Sequence, residues 1–412
     1  MKTFFRVSML GLLLFAFVAV SNQTVVAQEG KAELYAKFTD NYDGDLAQRK
    51  IAVAAGKEFI RLYGNSADDK EIVDYLKSAV PAIEEGIKEE EEAIREQKKA
   101  EEDAKRRAAL FKRFDGAFNA KNWTEMFSAG DAILKDQPDF YDVAIVLATA
   151  GFDEAANKND SLNNETIRFA KLAIQNLKSG KKPKSPTCGG NYYPYNTDGY
   201  KDCVSNSLGW MNYYIGWIKF YRQQQKDEAV PYFFEATKHN SGAGQLPVVY
   251  QAVGSWYVAK ASEITAKRNK VLADRNAETK VEEPDEAKID MLDAEIDKMI
   301  AIERGYAERA IDAYSRAYSL VSSADRAKDY GKGIFTTLQQ LYKFRYEKPE
   351  MQTDTKINMN VSMIKTKAMP DPASTVEPVV EKKPEAKDGE TAPAAGSTDS
   401  GASRSRTVSN NN

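Results

Sequence analysis

Ser207–Ser241 reads SLGWMNYYIGWIKFYRQQQKDEAVPYFFEATKHNS, and two spacings within it decide the fold. Trp210, Tyr213, Tyr214, Trp217, Phe220 and Tyr221 recur at three- and four-residue steps, which lays a broad aromatic stripe along one helix face. After the polar QQQKDE turn, Ala229, Phe233 and Ala236 set small, large and small side chains on one face of a second helix. Small residues beside a ring let two helices dock closely, so the stretch reads as a complete helical hairpin.

The same kind of triplet recurs on either side. Ala47, Ile51 and Ala54 carry it early in the chain; Met126, Gly130 and Ile133 and then Ala170, Ile174 and Leu177 repeat its phase; Ala310, Tyr314 and Ala317 give its cleanest copy. Helical spacing is almost unbroken from Lys31, and strand-like alternation is absent over any useful length, so the expected class is all-α. At this point the chain resembles a tetratricopeptide-repeat (TPR-like) protein with degenerate repeats. That family's second helix carries a small residue, an aromatic four later and Ala three after that, and its first helix carries a Gly that Gly216 matches. The resemblance covers residues 110–345 and is clearest at 207–241 and 306–318. The triplets stand further apart than the 34 residues of the family, so insertions must separate the repeats. What the resemblance implies is a binding scaffold, a helical-hairpin solenoid whose concave face grips peptides or partner proteins.

At the N-terminus, Lys2 and Arg6 precede an apolar run from Met9 to Val20, then Val25 and Ala27 suit a small-residue cleavage site. Residues 1–27 therefore read as a secretory signal peptide cut before Gln28, with no transmembrane segment after cleavage. Residues 28–80 form an N-terminal helical hairpin region, ending in a helix that is kinked or restarted at Pro81. Residues 81–109 are a charged helix or coiled-coil linker, with Glu84–Lys88, Glu91–Arg95, Glu101–Lys105, Glu102–Arg106 and Asp103–Arg107 as acid-before-base pairs within it. The repeat domain spans 110–346. Inside it, 258–305 lengthens both helices of one hairpin into an antiparallel coiled-coil arm, reaching on the order of 35 Å at the helical rise. Its return helix carries Ile289, Leu292, Ile296, Met299 and Tyr306 at heptad-like steps, with Glu303 in one apolar site. A last amphipathic helix with Phe335, Leu338, Leu341 and Tyr342 caps the array. Residues 347–412 are expected as a disordered tail, on the low-complexity, Pro-containing composition from Pro370 onward.

Charged residues are 29% and apolar residues 42% of the chain, a balance that suits a helical rod or solenoid with much surface per residue. The 58 basic and 61 acidic residues are interspersed and leave a net charge of −3, which argues against a nucleic-acid partner. The two cysteines, Cys188 and Cys203, lie in one loop, CGGNYYPYNTDGYKDC. In an exported chain they read as a disulfide, and with a single histidine, His239, Cys and His alone do not complete a four-ligand metal site.

No phosphate loop, dinucleotide motif or calcium loop occurs, and His239 falls where a helix ends, as a carbonyl cap or simply exposed. The chain is expected to be no enzyme, with no cofactor and no metal. Three functional readings follow. The first is an exported scaffold, periplasmic or extracellular, that binds a protein or peptide partner of the cell envelope. Tyr192, Tyr193, Tyr195 and Tyr200 in the constrained loop are its candidate partner-binding residues, against the alternative of a loop folded onto its own aromatics. The second is a structural protein that self-associates through 258–305 or 81–109. The third is a carboxylate-based hydrolase of envelope polymers, since carboxylates are too numerous to single out a catalytic pair.

Overall fold

The computed structural model describes residues 30–380, all of them helix, turn or irregular chain apart from one isolated bridge between Thr197 and Tyr200. The expected signal peptide lies outside the described residues, as does the tail beyond Val380. The all-α class holds. The chain divides into two compact units, Met1–Ala109 and Leu110–Asn412.

The first unit packs α1 (Lys31–Thr39), α2 (Leu46–Tyr63) and the opening turns of α3 (Lys70–Asn119) around Phe38, Phe59, Leu76 and Val80. Asp45 starts α2 with a reciprocal cap: its carboxylate accepts from the Ala47 and Gln48 N–H groups, and the Gln48 side chain accepts from the Asp45 N–H. The expected triplet on α2 faces the wrong way. Ile51 is 48% exposed, with Ala47 and Ala54 also exposed, while Ala52, Val53, Ala55, Gly56 and Phe59 are buried. In an Ala-rich helix two faces offer the same small-large-small pattern. Phe59 and Gly56 decide between them, because a Cβ on Gly56 would stand 2.6 Å from Val80 Cγ2.

The helix does not restart at Pro81. α3 runs straight through it, with Val73, Leu76 and Val80 before the ring and Ile87 after it all buried. Glu84 and Glu91 do not follow the expected intrahelical pairing either. Glu84 pairs with Lys57, Glu90 with Arg49 and Glu91 with Lys50 (2.5 Å), so the acidic face of α3 is neutralised by the basic face of α2. Such half-exposed pairs are worth at most about 1 kcal/mol each, and they fix register more than stability.

In the second unit, residues 110–119 of α3 lead into α4 (Trp123–Asp136), α5 (Asp142–Ala156) and α6 (Asn163–Lys178). The cysteine loop then precedes α7 (Cys203–Trp217), a π-turn (Ile218–Arg222) and α8 (Lys226–Thr237). α9 (Pro247–Glu278) and α10 (Glu286–Leu320) follow as a long antiparallel pair. Consecutive helices pack on one another from α4 to α10. α5 lies deepest, with every residue from Asp142 to Gly151 buried.

Close approach recurs where a glycine meets a bulky side chain. A Cβ on Gly130 would lie 2.6 Å from Leu147 Cδ1, on Gly216 2.9 Å from Phe233 Cδ1, and on Gly254 2.6 Å from Tyr314 Cδ2. Along the α9–α10 pair, Arg268 meets Glu303 (2.8 Å), Arg275 meets Asp293 (3.0 Å) and Lys288 meets Glu278 (2.6 Å). Glu303, the charged residue in an apolar heptad site, is 3% exposed and is compensated by Arg268.

After a short α11 (Ser323–Arg326), α12 (Asp329–Arg345) buries Ile334, Leu338, Leu341 and Tyr342 against α10. The chain stays ordered past 346, against the expected start of the tail at 347. α13 (Asp354–Met363) packs on α10 and α12 through Ile357 and Val361, and residues 367–380 lie along α10, extended on either side of a turn at Asp371–Ser374 where the Ser374 N–H donates to the Asp371 carbonyl (3.0 Å). The low-complexity, Pro-containing composition from Pro370 offers little to repay the entropy of folding alone, but docking on a neighbouring helix supplies contacts from outside the segment.

The glycines give a test of opposite signs. Gly254→Ala forces a methyl into the Tyr314 ring and is expected to cost about 1–3 kcal/mol by overpacking. Gly116→Ala, in an exposed stretch of α3 with nothing within 4 Å, is expected to stabilise by up to about 1 kcal/mol, both read by urea unfolding.

Candidate functional site

The cysteine loop is built inward. Cys188 and Cys203 lie at bonding distance with Cα atoms 5.7 Å apart, and Cys203 opens α7 under an Asp202 cap. Asp142, buried at the start of α5, accepts from the Lys184 (2.8 Å) and Ser185 (3.1 Å) N–H groups, and the Tyr141 hydroxyl donates to the Lys181 carbonyl (2.7 Å). These bonds hold the basic approach to the loop against α5.

The four loop tyrosines do not form one surface. Tyr195 is buried, its hydroxyl 2.6 Å from Thr149 Oγ1 and 3.2 Å from the Tyr214 hydroxyl. Burial pushes its pKa up to about 12, so it stays neutral. Tyr192 is half-buried, edge-on to Phe114 and Phe118, and donates to Asp115. Tyr193 is edge-on to Phe118 and donates to Asp153 (3.3 Å). Tyr200 stands apart, half-buried beside its bridge to Thr197. Tyr192, Tyr193 and Tyr195 pack on side chains of α3, α5 and α7 rather than on one another, and Tyr195 is inaccessible to any partner.

Asn206 is the residue that sequence reasoning missed. It is 2% exposed; its Nδ2 donates to the Tyr195 carbonyl (2.6 Å) and its Oδ1 accepts from the Gly242 N–H (3.1 Å). The loop and the turn after α8 are thus tied together through one amide. No sequence signal singled it out, since it sits between Ser205 and Ser207 in the polar first turn of α7.

The aromatic stripe on α7 splits by depth. Tyr213, Tyr214 and Phe220 are buried, while Trp210, Trp217 and Tyr221 are half-buried. Phe152 from α5 joins them, stacked on Tyr214 (4.3 Å between ring centres) and edge-on to Trp217 (5.3 Å). Trp210 is edge-on to Tyr213 (5.6 Å), and Trp217 is tilted on Tyr221 (5.5 Å). Burial, with the Tyr330 and Tyr314 hydroxyls adding, pushes the Tyr221 pKa up to about 12. The result is a continuous aromatic row with uncharged hydroxyls, able to supply area and hydrogen bonds to a protein or peptide.

Two shallow grooves flank α6, of 270 Å³ between α6 and α8 and of 430 Å³ along α6 itself, sharing Lys171 and Gln175. In the first, Glu235 is held below the usual carboxylate range by Lys238, and burial works against that shift. Asp153 is pushed above its ordinary value by burial, against the Tyr193 hydrogen bond. It serves as the anchor of that tyrosine. Among the described residues no group of three or more His, Cys, Asp or Glu is placed to hold a metal ion, and no helix is long and apolar enough to cross a membrane.

His239 is half-buried and its Nε2 has no hydrogen-bond partner, so the expected helix cap is not made through that atom. Burial depresses its pKa below the ordinary 6.5, with Glu235 opposing. No protein-family model matches the chain, no curated protein matches it, and no solved structure matches it. The repeat resemblance therefore rests on the residues themselves.

Two measurements follow. Asn206→Ala leaves a buried carbonyl and a part-buried N–H without their side-chain partner and is expected to cost about 1–3 kcal/mol in urea unfolding. Because folding lowers the His239 pKa, the unfolded chain protonates first and stability is lost as pH falls below about 6.5. His239→Asn is expected to flatten that loss between about pH 6.5 and pH 5, measured by unfolding midpoints across the range.

Proposed function

We propose that this chain is an exported, non-enzymatic helical-repeat scaffold, a solenoid of TPR-like hairpins, that binds a protein or peptide partner in the cell envelope, periplasmic or extracellular. The observation that carries the reading is the half-buried aromatic row of Trp210, Trp217, Tyr221 and Phe152 on stacked hairpins whose own core is already filled. Rings held by neighbouring rings lose little freedom on binding, which is what an anchoring surface needs. The bonded Cys188–Cys203 pair fits an oxidising compartment. The loop tyrosines act in this reading by shaping α5 and α7 from behind, with Tyr200 their most outlying member.

A second reading, self-association through 258–305, is favoured by one specific feature. Leu272 (37%), Val281 (49%) and Met291 (62%) are exposed on the distal part of the α9–α10 pair, where a coiled-coil arm would meet another copy.

The test is capture from an envelope fraction by the chain from Gln28, beside a variant with Trp210→Ser and Trp217→Ser. A discrete partner is expected with the first and at least tenfold less with the second, while circular dichroism shows equal helix content. Equal capture by both removes the aromatic row from the reading. A mass by light scattering that rises with concentration and falls with Met291→Lys carries the second reading instead.

A further inference from the structure

Beyond α13 the chain forms a strap along α10, running against it: Lys367 lies at Arg316, Ser374 and Thr375 at Arg309, Glu377 at Gly305 and Val379 at Ala301. The contacts are those a helix pair offers to an extended peptide. Arg316 Nη2 donates to the Lys367 carbonyl (2.8 Å), and Arg309 Nη2 donates to Ser374 Oγ (3.0 Å) and the Thr375 carbonyl (3.4 Å). The Val379 N–H donates to the Ala301 carbonyl (2.9 Å). Gly305 makes the approach possible: a Cβ there would stand 2.3 Å from the Glu377 carbonyl oxygen and 2.8 Å from Val376 Cγ1.

Sequence and charge fit this seat. Pro370 and Pro378 restrict φ in the extended parts and Pro372 restricts it within the turn at Asp371–Ser374, so the strap loses less conformational freedom on docking. On the helix side Arg316 is paired with Asp312 of its own helix (2.7 Å), which leaves Arg309 as the cation facing the strap, and the strap carries Asp371 and Glu377 beside Lys367.

The fit is incomplete at one point. Arg309 Nη1 is buried with no hydrogen-bond partner, and so is the hydroxyl of Tyr257 from α9, itself 2% exposed. Arg309 and the strap's Asp371 both act on that hydroxyl. Where the guanidinium needs a two-oxygen acceptor, the strap supplies a serine hydroxyl and one carbonyl. A carboxylate accepts from both guanidinium nitrogens in the fork geometry.

We propose that this face of α10 is a groove for an extended, proline-containing peptide segment with an acidic side chain at the Arg309 crossing. Residues 367–380 fill it as a weaker intramolecular stand-in that such a segment displaces. The inference rests on the peptide-binding reading above but uses a face other than the aromatic row. A tethered occupant competes at an effective concentration in the millimolar range, so a free peptide sees its affinity reduced by the fraction of closed groove.

The experiment uses the chain from Gln28 and a labelled synthetic peptide of residues 367–380 carrying Ser374→Glu. In the unmodified chain, excess peptide is expected to speed amide exchange at Val379 at least tenfold. Val379→Pro removes the strap's N–H donor, and this variant is expected to bind the peptide at least tenfold more tightly by fluorescence anisotropy. Adding Arg309→Gln to that variant is expected to lose at least tenfold, and adding Gly305→Leu to abolish binding. A peptide that leaves Val379 exchange unchanged and fails to bind the Val379→Pro chain overturns the proposal. So does one that binds equally well after Arg309→Gln, a change that leaves the apolar core untouched. Capture through Trp210 and Trp217 is read separately, so either site stands or falls without the other.

Discussion

Glycines facing bulky side chains set how close the paired helices come, and most of the second unit depends on that distance. Gly130 at Leu147, Gly216 at Phe233 and Gly254 at Tyr314 each leave no room for a methyl group. At such a crossing the partner side chain packs against backbone, which gives dispersion contact on every side and no void. Around α5, Gly130 at Leu147 and Gly151 beside Phe127 of α4 and Thr166 of α6 let the two neighbouring helices close in, and the ten residues from Asp142 to Gly151 all enter the core.

Enclosure of α5 explains the polar chemistry around it. Buried hydroxyls and amides must find partners, and they do so as a chain: Thr149 to Tyr195, Tyr195 to Tyr214, and Asn206 between the Tyr195 carbonyl and Gly242. The cysteine loop is thereby a lining element, with its hydroxyls directed at α3 and α5. Among the partly exposed rings, Trp210, Trp217, Tyr221 and Phe152 are linked to one another through ring contacts that include Tyr213 and Tyr214. Partly exposed ring area and core packing come from the same stripe, divided by depth.

The hairpin at Ser207–Ser241 was legible because both of its spacings repeat within a few helical turns. The Cys188–Cys203 pairing was legible from count and loop length, and the long α9–α10 pair from the persistence of one apolar face. The α2 triplet was misleading: Ala47, Ile51 and Ala54 have the right steps but the wrong phase, since Phe59 and Gly56 lie one face over. Glu84 and Glu91 had suitable partners within their own helix, yet the lysines of α2 came closer once the two helices packed. Tyr195 and Tyr192 looked alike in sequence and differ by their distance from α5.

The sequence by itself therefore determined most of the helices before residue 347 and that one covalent cross-link closes the loop, because each depends on residues within reach along the chain; the break expected at Pro81 and the tail expected over α13 were misread. Tertiary structure decided which face of α2 is buried, that α3 continues through Pro81, which tyrosines point inward, and that 367–380 is ordered. Each of these turns on a contact between residues far apart in sequence, such as Val80 with Gly56 or Glu377 with Gly305. Burial against such a partner offsets a local preference by more than that preference is worth.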